Sequence, residues 1–210
     1  MRLKNILFET LEVGPLSVNC YILGSKNSNV AIVIDAGGNP EEILKRIKKH
    51  NLSLQYIINT HAHFDHVGGV NALQEMTGAQ FLIHQNEAPL LDLLDEQATA
   101  FGLSSVARPS IDKTIVDNEE IVIGDETIRV IHTPGHSPGS VCFLIDDAVF
   151  VGDTLFAGSI GRTDLPGGSH TEIINSIKTR LFTLDDRIIA YPGHGPCTTI
   201  GEERQHNPFF

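Results

Sequence analysis

Four side chains that commonly bind metal ions lie within six residues of the stretch NTHAHFDHVGG (59–69). His61 and His63 follow an apolar run, and Asp65 and His66 come directly after them. Histidine nitrogens and aspartate oxygens are ligands of zinc and similar ions, and a catalytic site keeps one position open for water. Because residues i and i+2 after a strand can point the same way, His61 and His63 can share one ion. The turn that follows can direct Asp65 and His66 towards a second point.

A polar surface loop is the alternative interpretation of this stretch. Histidine accounts for 10 of the 210 residues, so three histidines at these offsets would arise by chance in roughly two per cent of such chains. The apolar run LQYIINT (54–60) before the stretch favours a metal site. So do Gly68 and Gly69 after it, because glycines let another part of the backbone pass closely.

Three later stretches each place another possible ligand at the end of a predicted strand. TPGHSPGS (133–140) holds His136 in a loop rich in proline and glycine, GDT (152–154) contains Asp153, and PGH (192–194) ends at His194. A single histidine after a strand is more often a turn residue than a ligand. Four such stretches at strand ends are improbable accidents, because loops held by a rigid sheet usually carry the chemistry of a protein.

The secondary-structure elements that must position these residues form two groups, one in each half of the chain. Short β-branched runs predict strands in both halves of the chain, at 17–23, 29–35, 54–60, 80–84, 119–124, 127–133, 140–146, 148–154 and 187–193. The run VAIVI is apolar without interruption, which predicts a strand covered on both faces. Two groups of strands, each accompanied by helices, predict an α/β fold in which two sheets pack together with helices outside.

Three helices are predicted from capping patterns and periodicity. The first begins at Pro40 with Asn39 as its cap, the second runs from about 67 to 76 before Gly78, and the third runs from the capping box at Ser169 to about residue 180. The segment 87–112 begins as a helix and becomes irregular. A connection of that length is often a lid or a binding loop.

Composition and charge limit the partners. The net charge is −11, and the basic run KRIKK (45–49) is typical of the solvated side of a helix, so we expect no nucleic-acid binding. No apolar run reaches transmembrane length, and the N-terminal residues lack the features of a signal peptide. Three widely spaced cysteines fit a reducing compartment. We therefore expect a cytoplasmic protein without a membrane partner, formed as one domain over residues 1–210.

In this order, the motifs THxHxDH, TPGHxPGS, GDT and PGH resemble those of the metallo-β-lactamase superfamily, over nearly the whole chain from NCYIL (19–23) to GEERQHNPFF (201–210). The resemblance implies a four-layer αββα sandwich with two mixed sheets and a metal site at one sheet edge. It also implies a ligand set. The first ion would be held by His61, His63 and His136, and the second by Asp65, His66 and His194, with Asp153 as a bridge.

The implied cofactor is a pair of divalent metal ions. Zn²⁺ is the expected ion, and Fe or Mn are alternatives because all of these suit His and Asp ligands. Two such ions share a water whose pKa falls to about 7, which provides hydroxide at neutral pH. Asp65 has a second, catalytic role in such sites, because its carboxylate orients this hydroxide.

The stretch LFAGSIGRTDLPGGS (155–169) resembles the short, single-domain branch of the glyoxalase II group. These enzymes hydrolyse S-2-hydroxyacylglutathione, such as S-lactoylglutathione, so the implied partner is a small-molecule thioester. The long members of the group have a helical C-terminal domain, whereas this chain ends at Phe210, and the Lys and Tyr that they use after the bridging Asp are not evident. Arg162 occupies that region. It either pairs with a substrate carboxylate through a forked contact or fixes its own loop.

Other functions remain open. Persulfide dioxygenases share this fold and a related GRTD stretch, and they bind one iron through residues that match His61, His136 and Asp153. A lactone or other small-ester hydrolase and a non-catalytic metal-binding module are further possibilities. Asp35, at the end of VAIVID, either orients the ligand loop from outside the ligand set or caps its strand.

Overall fold

Two six-stranded mixed sheets pack face to face in the computed structural model of the chain, which describes residues 6–210. In the first sheet the strands lie side by side in chain order, and the pairs up to β3 are antiparallel while those from β3 to β6 are parallel. These strands are β1 (Ile6–Val13), β2 (Val18–Ser25), β3 (Val30–Ile34), β4 (Ser53–Ile58), β5 (Gln80–His84) and β6 (Lys113–Ile115).

The second sheet is formed by the second half of the chain, in the order β14-β13-β10-β9-β8-β7. Its pairs are antiparallel except that β10 and β13 run parallel. The strands, with the two-stranded ribbon of β11 and β12 between them, are β7 (Glu120–Ile123), β8 (Glu126–His132), β9 (Val141–Ile145), β10 (Ala148–Gly152), β11 (Leu155–Phe156), β12 (Ser159–Ile160), β13 (Ile189–Pro192) and β14 (Thr198–Thr199).

Helices cover the outer face of each sheet. The first sheet carries α1 (Pro40–Lys49), α2 (Phe64–Val67), α3 (Val70–Thr77), α4 (Ala88–Leu91) and α5 (Leu94–Ala100). The second carries α6 (His170–Ser176), which widens into a π-helical turn at Ile177–Leu181, and α7 (Ile200–His206). None of the helices within residues 6–210 is long and apolar enough to cross a membrane.

Alternate residues of one strand face different layers, as the pleat of a strand requires. In β3, Ala31 and Val33 pack with the outer helices, whereas Ile32 and Ile34 pack between the two sheets. This explains why the run VAIVI is apolar at every position. The predicted α/β fold, a four-layer αββα sandwich, is therefore confirmed.

The second sheet shows the same alternation. Val141 and Phe143 of β9 lie in the layer between the sheets, and Cys142 packs outward with Ile173 of α6. Half of the capping box predicted at the start of α6 is present. Ser169 Oγ accepts a hydrogen bond from the backbone N–H of Glu172, but the backbone N–H of Ser169 donates to the carbonyl oxygen of Gly135 instead of to the Glu172 side chain.

The prediction that the Asn39 side chain caps α1 is wrong. Asn39 has a φ of 52°, makes no side-chain cap, and instead accepts a hydrogen bond at its Oδ1 from the backbone N–H of Gly14 at 2.8 Å. Its side chain therefore ties the β1–β2 turn to the start of the helix. Pro40 still occupies the first turn, where Glu41 and Glu42 complement the helix dipole.

The helix predicted at about 67–76 is instead two helices, α2 and α3, which are interrupted by two glycines. The first of these, Gly68, packs so closely on the loop after β3 that a Cβ there would lie 2.6 Å from the carbonyl oxygen of Gly37. As a consequence, Asp65 and His66 lie in the single helical turn of α2 rather than in a loop.

Candidate metal centre

The seven side chains predicted to bind metal come together where the two sheets share an edge. The first sheet supplies four of them from the segment after β4, and the second supplies three from the segments after β8, β10 and β13. A backbone hydrogen bond of 2.9 Å from Val141 to Thr60 joins the two sheets beside this site. The seven residues are buried or half-buried: His61, His63, Asp65, His66, His136, Asp153 and His194.

Their ligand atoms form three overlapping groups, and within each group all atoms lie within 4.8 Å of one another. The second group shares His61 with the first group and His66 with the third, and it adds Asp153. The groups are His61, His63 and His136; His61, His66 and Asp153; and Asp65, His66 and His194.

A chain of hydrogen bonds fixes the tautomer of His61. Thr60 Oγ donates its proton to Asp35 Oδ2 at 2.8 Å, so it can only accept at the 3.0 Å contact with His61 Nδ1. His61 therefore carries its proton on Nδ1, and the lone pair of Nε2 faces the site. Asp35 is also positioned by the backbone N–H of Thr60, which donates to its Oδ1 at 2.8 Å.

The outer nitrogens of two further histidines are also engaged. His136 Nδ1 donates to the carbonyl oxygen of Arg162 at 2.8 Å, and His66 Nδ1 lies 3.1 Å from Asp35 Oδ2. The inner Nε2 atoms of His136 and His61 lie 3.3 Å apart. Two lone pairs at this distance repel each other unless a cation lies between them, so these nitrogens have the arrangement of metal ligands.

Two buried polar atoms provide a further test of whether the site fits a metal. His66 Nε2 and Asp153 Oδ1 have no hydrogen-bond partner, although they lie 3.4 Å apart. Buried polar groups are nearly always satisfied, so such an exception calls for an explanation. Both residues belong to the ligand group that includes His61. The donor set therefore fits a metal ion.

Charge differs between the two halves of the site. Burial and the neighbouring imidazoles of His66 and His136 lower the pKa of His61 far below its usual range, and burial followed by His136 lowers that of His63 to about 3. Burial alone would also lower the pKa of His66, but the carboxylates of Asp65, Asp153 and Asp35 outweigh it and raise the pKa to about 10. Neutral imidazoles therefore line one half, and the carboxylates of the other half favour a cation.

The site also depends on close backbone approach. The backbone N–H of Gly193, at the end of β13, donates to Gly152 at 2.8 Å, and a Cβ on Gly193 would overlap Asp153 Oδ1 and the His66 ring. Only glycine fits between these two side chains. The neighbouring His194 is held by Asn19, whose side-chain amide donates to carbonyl oxygens on either side of it.

Arg162 lies at the mouth of the site with an exposed guanidinium. Its Nε and one terminal nitrogen each donate to Asp164 at 2.7 Å, so the forked contact expected with a substrate is made within the loop itself. Its carbonyl oxygen orients His136. Arg162 thus fixes its own loop and also lines the cavity above the metal ligands.

That cavity has a volume of about 360 Å³. One wall consists of metal ligands, and the others come from the β1–β2 turn, α2, the α4–α5 region and the loop after Arg162. The residues outside the ligand set are Leu16, Phe64, Leu90, Leu93, Glu96, Gln97, Ala100, Phe101, Arg162, Leu165 and Pro166.

Sequence patterns did not reveal the role of Glu87, which is completely buried beside the site. Its Oε2 accepts from the backbone N–H of Ala62, between the first two histidines, at 2.6 Å. Its Oε1 accepts from Ser137 Oγ at 2.7 Å and from the backbone N–H of Gly139 at 2.6 Å, in the loop that carries His136. One carboxylate therefore links the ligand loops of both sheets. A charged residue directly before the apolar run APLLDLL is the one signal that could have indicated it.

Comparison with protein families matches residues 13–194 to the metallo-β-lactamase superfamily. Among curated proteins, the hydroxyacylglutathione hydrolase GloC of Haemophilus influenzae is 38% identical over 205 residues, which cover 96% of this chain and 96% of that protein. Among solved structures, BLEG-1, a B3 metallo-β-lactamase, is 38% identical with a TM-score of 0.89, and the match covers 97% of this chain and 99% of that chain.

Two further solved structures bear on the metal. A protein in a di-iron-bound form is 37% identical with a TM-score of 0.87, and the match covers 96% of this chain and 100% of that one. ETHE1 from Myxococcus xanthus is 29% identical with a TM-score of 0.83, and covers 96% of this chain and 83% of its own. A related chain, matched over its whole length, is thus known in a di-iron-bound form.

Proposed function

This chain belongs to the metallo-β-lactamase superfamily, and on that premise we propose that it is a metallo-hydrolase that holds two divalent metal ions and cleaves thioesters. The proposed substrates are S-2-hydroxyacylglutathiones such as S-lactoylglutathione. Zn²⁺ is the proposed metal, with Fe or Mn as alternatives that availability decides.

The observation that carries the proposal is the pair of ligand groups joined by one carboxylate. We assign three imidazoles, His61, His63 and His136, to the first ion. Asp65, His66 and His194 are assigned to the second, and Asp153 to a bridging position, because it belongs to a group with His61 and His66 and lies 3.7 Å from His136 Nε2. The carboxylates near the second group supply the negative charge that a second cation needs.

Two bound divalent ions supply a water of lowered pKa and polarise the thioester carbonyl. The protein supplies orientation. Although burial would raise the pKa of Asp65, the imidazoles of His66 and His194 hold it well below its usual range, so that this carboxylate is ionised and can accept a hydrogen bond from the attacking water. The water oxygen attacks the carbonyl carbon, the C–S bond breaks, and the proton released by the water goes to the leaving sulfur.

The thioester assignment is supported by the stretch after Asp153 and by the 38% identity to a hydroxyacylglutathione hydrolase. Two structural features fit a small substrate with a charged end. The cavity opens directly onto the metal ligands, and Arg162, whose exposed guanidinium pairs with Asp164, is the only lysine or arginine among the described residues that line it.

The test is a substrate panel on protein loaded with Zn, Fe or Mn. S-lactoylglutathione should be hydrolysed, and His66→Ala should reduce the metal content from two ions to one and the rate by at least about 100-fold. His194→Ala, at a half-buried ligand, provides a second variant of the same ion position. His206→Ala is the matched control because this histidine is exposed and lies on α7.

The panel also contains a β-lactam, because BLEG-1 is a B3 metallo-β-lactamase, together with a lactone and glutathione persulfide. Cleavage of the β-lactam or the lactone without thioester hydrolysis would contradict the thioester assignment. Unchanged metal content in both histidine variants would contradict the second ion.

A mononuclear iron persulfide dioxygenase is the second candidate. It would use His61, His136 and Asp153, two histidines and one carboxylate, which is a ligand set typical of non-haem iron oxygenases. Asp153 Oδ2 lies 3.7 Å from His136 Nε2, which in turn lies 3.3 Å from His61 Nε2, so the three side chains are close to one another. One iron per chain with oxygen uptake on glutathione persulfide, and no thioester cleavage, would favour this function.

A further inference from the structure

Apolar side chains collect at the mouth of the cavity above the metal ligands. Eight large hydrophobic residues are substantially exposed within the described part of the chain, and three of them, Leu16, Leu93 and Phe101, line this one cavity. They come from separate segments, the β1–β2 turn, the residue before α5 and the residue after it. Scattered exposed hydrophobics need no explanation, but a contiguous patch around a cavity marks a binding surface.

Buried apolar residues extend this surface inward. Leu90 and Phe64 are 7% and 5% exposed, and the Phe64 and Phe101 rings lie 5.1 Å apart. Leu165 and Pro166 also line the cavity. The result is an apolar wall that begins next to His63 and Asp65 and ends at the surface.

Two of the polar groups of this wall are engaged within the protein, and the third, Glu96, is exposed to solvent. Gln97 Oε1 accepts from the backbone N–H of Phe64 at 3.0 Å, and its Nε2 donates to the carbonyl oxygen of Leu90 at 2.9 Å. The guanidinium of Arg162 is paired with Asp164. Away from the metal ligands, the wall therefore offers a ligand mainly apolar contact, in a cavity within the range of small-molecule pockets, roughly 300–1,000 Å³.

We propose that this wall is a subsite for an apolar acyl chain longer than lactoyl. This proposal rests on the proposed thioesterase function and specifies its substrate class. The acyl chain packs against Leu90, Leu93 and Phe101, and the thiol carrier extends towards Arg162. The thiols that carry acyl groups in cells are charged, polar molecules, so the apolar part of a thioester is its acyl chain. A lactoyl group has one methyl and cannot cover a surface drawn from three segments.

Binding tests the subsite without hydrolysis. The probes are S-methyl-, S-butyl- and S-hexylglutathione, thioethers that cannot be cleaved, titrated calorimetrically into metal-free protein. Each buried methylene should lower Kd about fourfold, so the Kd for S-hexylglutathione should be at least tenfold below that for S-methylglutathione. Leu93→Ser and Phe101→Ser should each reduce this ratio by at least half. Met76→Ser, an equally exposed residue outside the cavity, should keep it.

Turnover tests the same subsite on metal-loaded protein. The value of kcat/KM should rise from S-acetyl- to S-hexanoylglutathione by at least tenfold, and Phe101→Ser should lower it more for the hexanoyl than for the acetyl substrate. Equal Kd values for all three thioethers would overturn the subsite. A substrate preference that depends on an apolar thiol, such as thiophenol, and not on the length of the acyl chain would overturn it as well.

The two proposals fail in different ways. If S-hexylglutathione binds more tightly but no thioester is cleaved with any metal, the thioesterase function is wrong and the apolar subsite stands. If thioesters are cleaved at rates independent of chain length and the thioethers bind equally, the function stands and the subsite is wrong.

Discussion

At the scale of single residues, the site is controlled by side chains that do not bind the metal. Asp35 directs both Thr60 and His66, and Thr60 in turn fixes the proton of His61 on Nδ1. Such outer contacts orient ligands and set their basicity, and their loss usually lowers metal affinity by about 10–100-fold. A substitution beside the ligands can therefore be as damaging as the loss of a ligand.

Glu87→Gln is predicted to destabilise the fold and weaken metal binding. The amide that replaces one carboxylate oxygen would place an N–H group against the N–H of Ala62 or against the donors of Ser137 and Gly139, which leaves a buried donor unpaired. That should lower the free energy of unfolding by about 1–3 kcal/mol. Burial raises the pKa of the Glu87 carboxyl group in the original protein.

Urea denaturation and zinc titration of the variant test this prediction. Glu75→Gln is the matched control because Glu75 is exposed on α3. A Glu87→Gln protein with unchanged stability and metal affinity would show that this carboxylate does not hold the two ligand loops together.

The side chains that meet at the candidate metal centre could be predicted from the sequence, whereas Glu87 could not. The ligands stand in short motifs at strand ends, and each motif is local. The contacts of Glu87 join residues 25, 50 and 52 positions apart, so they exist only after the two sheets have met. Its neighbours in the sequence, an acid before an apolar run, are equally typical of an exposed helix start.

At the scale of elements, the proposed ligands lie in the segments that follow strands β4, β8, β10 and β13. The strands predicted from apolar runs are confirmed, but β1, β6, β11, β12, β14 and α7 were not predicted. β6 has three residues, and its pairing with β5 follows a connection of about thirty residues, so it has too little local pattern. β1 mixes charged and apolar residues because α1 covers only part of its face, where Arg46 pairs with Glu9.

Gly193→Ala is predicted to disrupt the site through the close contact between the ends of β10 and β13. The added methyl group would overlap Asp153 and His66, and one of them would have to move. We expect metal affinity to fall by at least about tenfold while the strands themselves remain paired.

Metal stoichiometry and circular dichroism separate these two effects. Gly78→Ala is the control, since a Cβ at Gly78 meets no atom within 4 Å and affects only a positive φ at the end of α3. That variant should lose some stability and keep its metal. Equal metal affinity of Gly193→Ala and the original protein would refute the close-contact argument.

At the scale of the whole molecule, bound metal would connect the two sheets. Four proposed ligands belong to the first sheet and three to the second, and hydrophobic side chains fill the layer between the sheets. A metal that binds only the folded state stabilises it by about 4 kcal/mol at a free concentration one thousand times its Kd. Metal binding and sheet packing should therefore be coupled.

Removal of the metal with a chelator is predicted to lower Tm, and addition of Zn²⁺ should restore it. Without a cation, the Nε2 atoms of His61 and His136, which lie 3.3 Å apart, lose the partner that would lie between them. Differential scanning calorimetry with and without metal measures the shift, and His66→Ala should show a smaller one. Equal Tm values for the two forms of the original protein would contradict the coupling.

The hydrogen bonds that hold the loop of His194 have a consequence for the order of assembly. Asn19 lies in β2, yet its amide binds the carbonyl oxygens of Pro192 and Gly195, which are 173 and 176 positions further along the chain. Contacts of such separation form late, because a long stretch of chain must first be closed. During synthesis, the four ligands of the first half emerge from the ribosome long before this loop. A nascent chain can therefore engage one ion only loosely, and the complete centre closes when the last residues join the first strands.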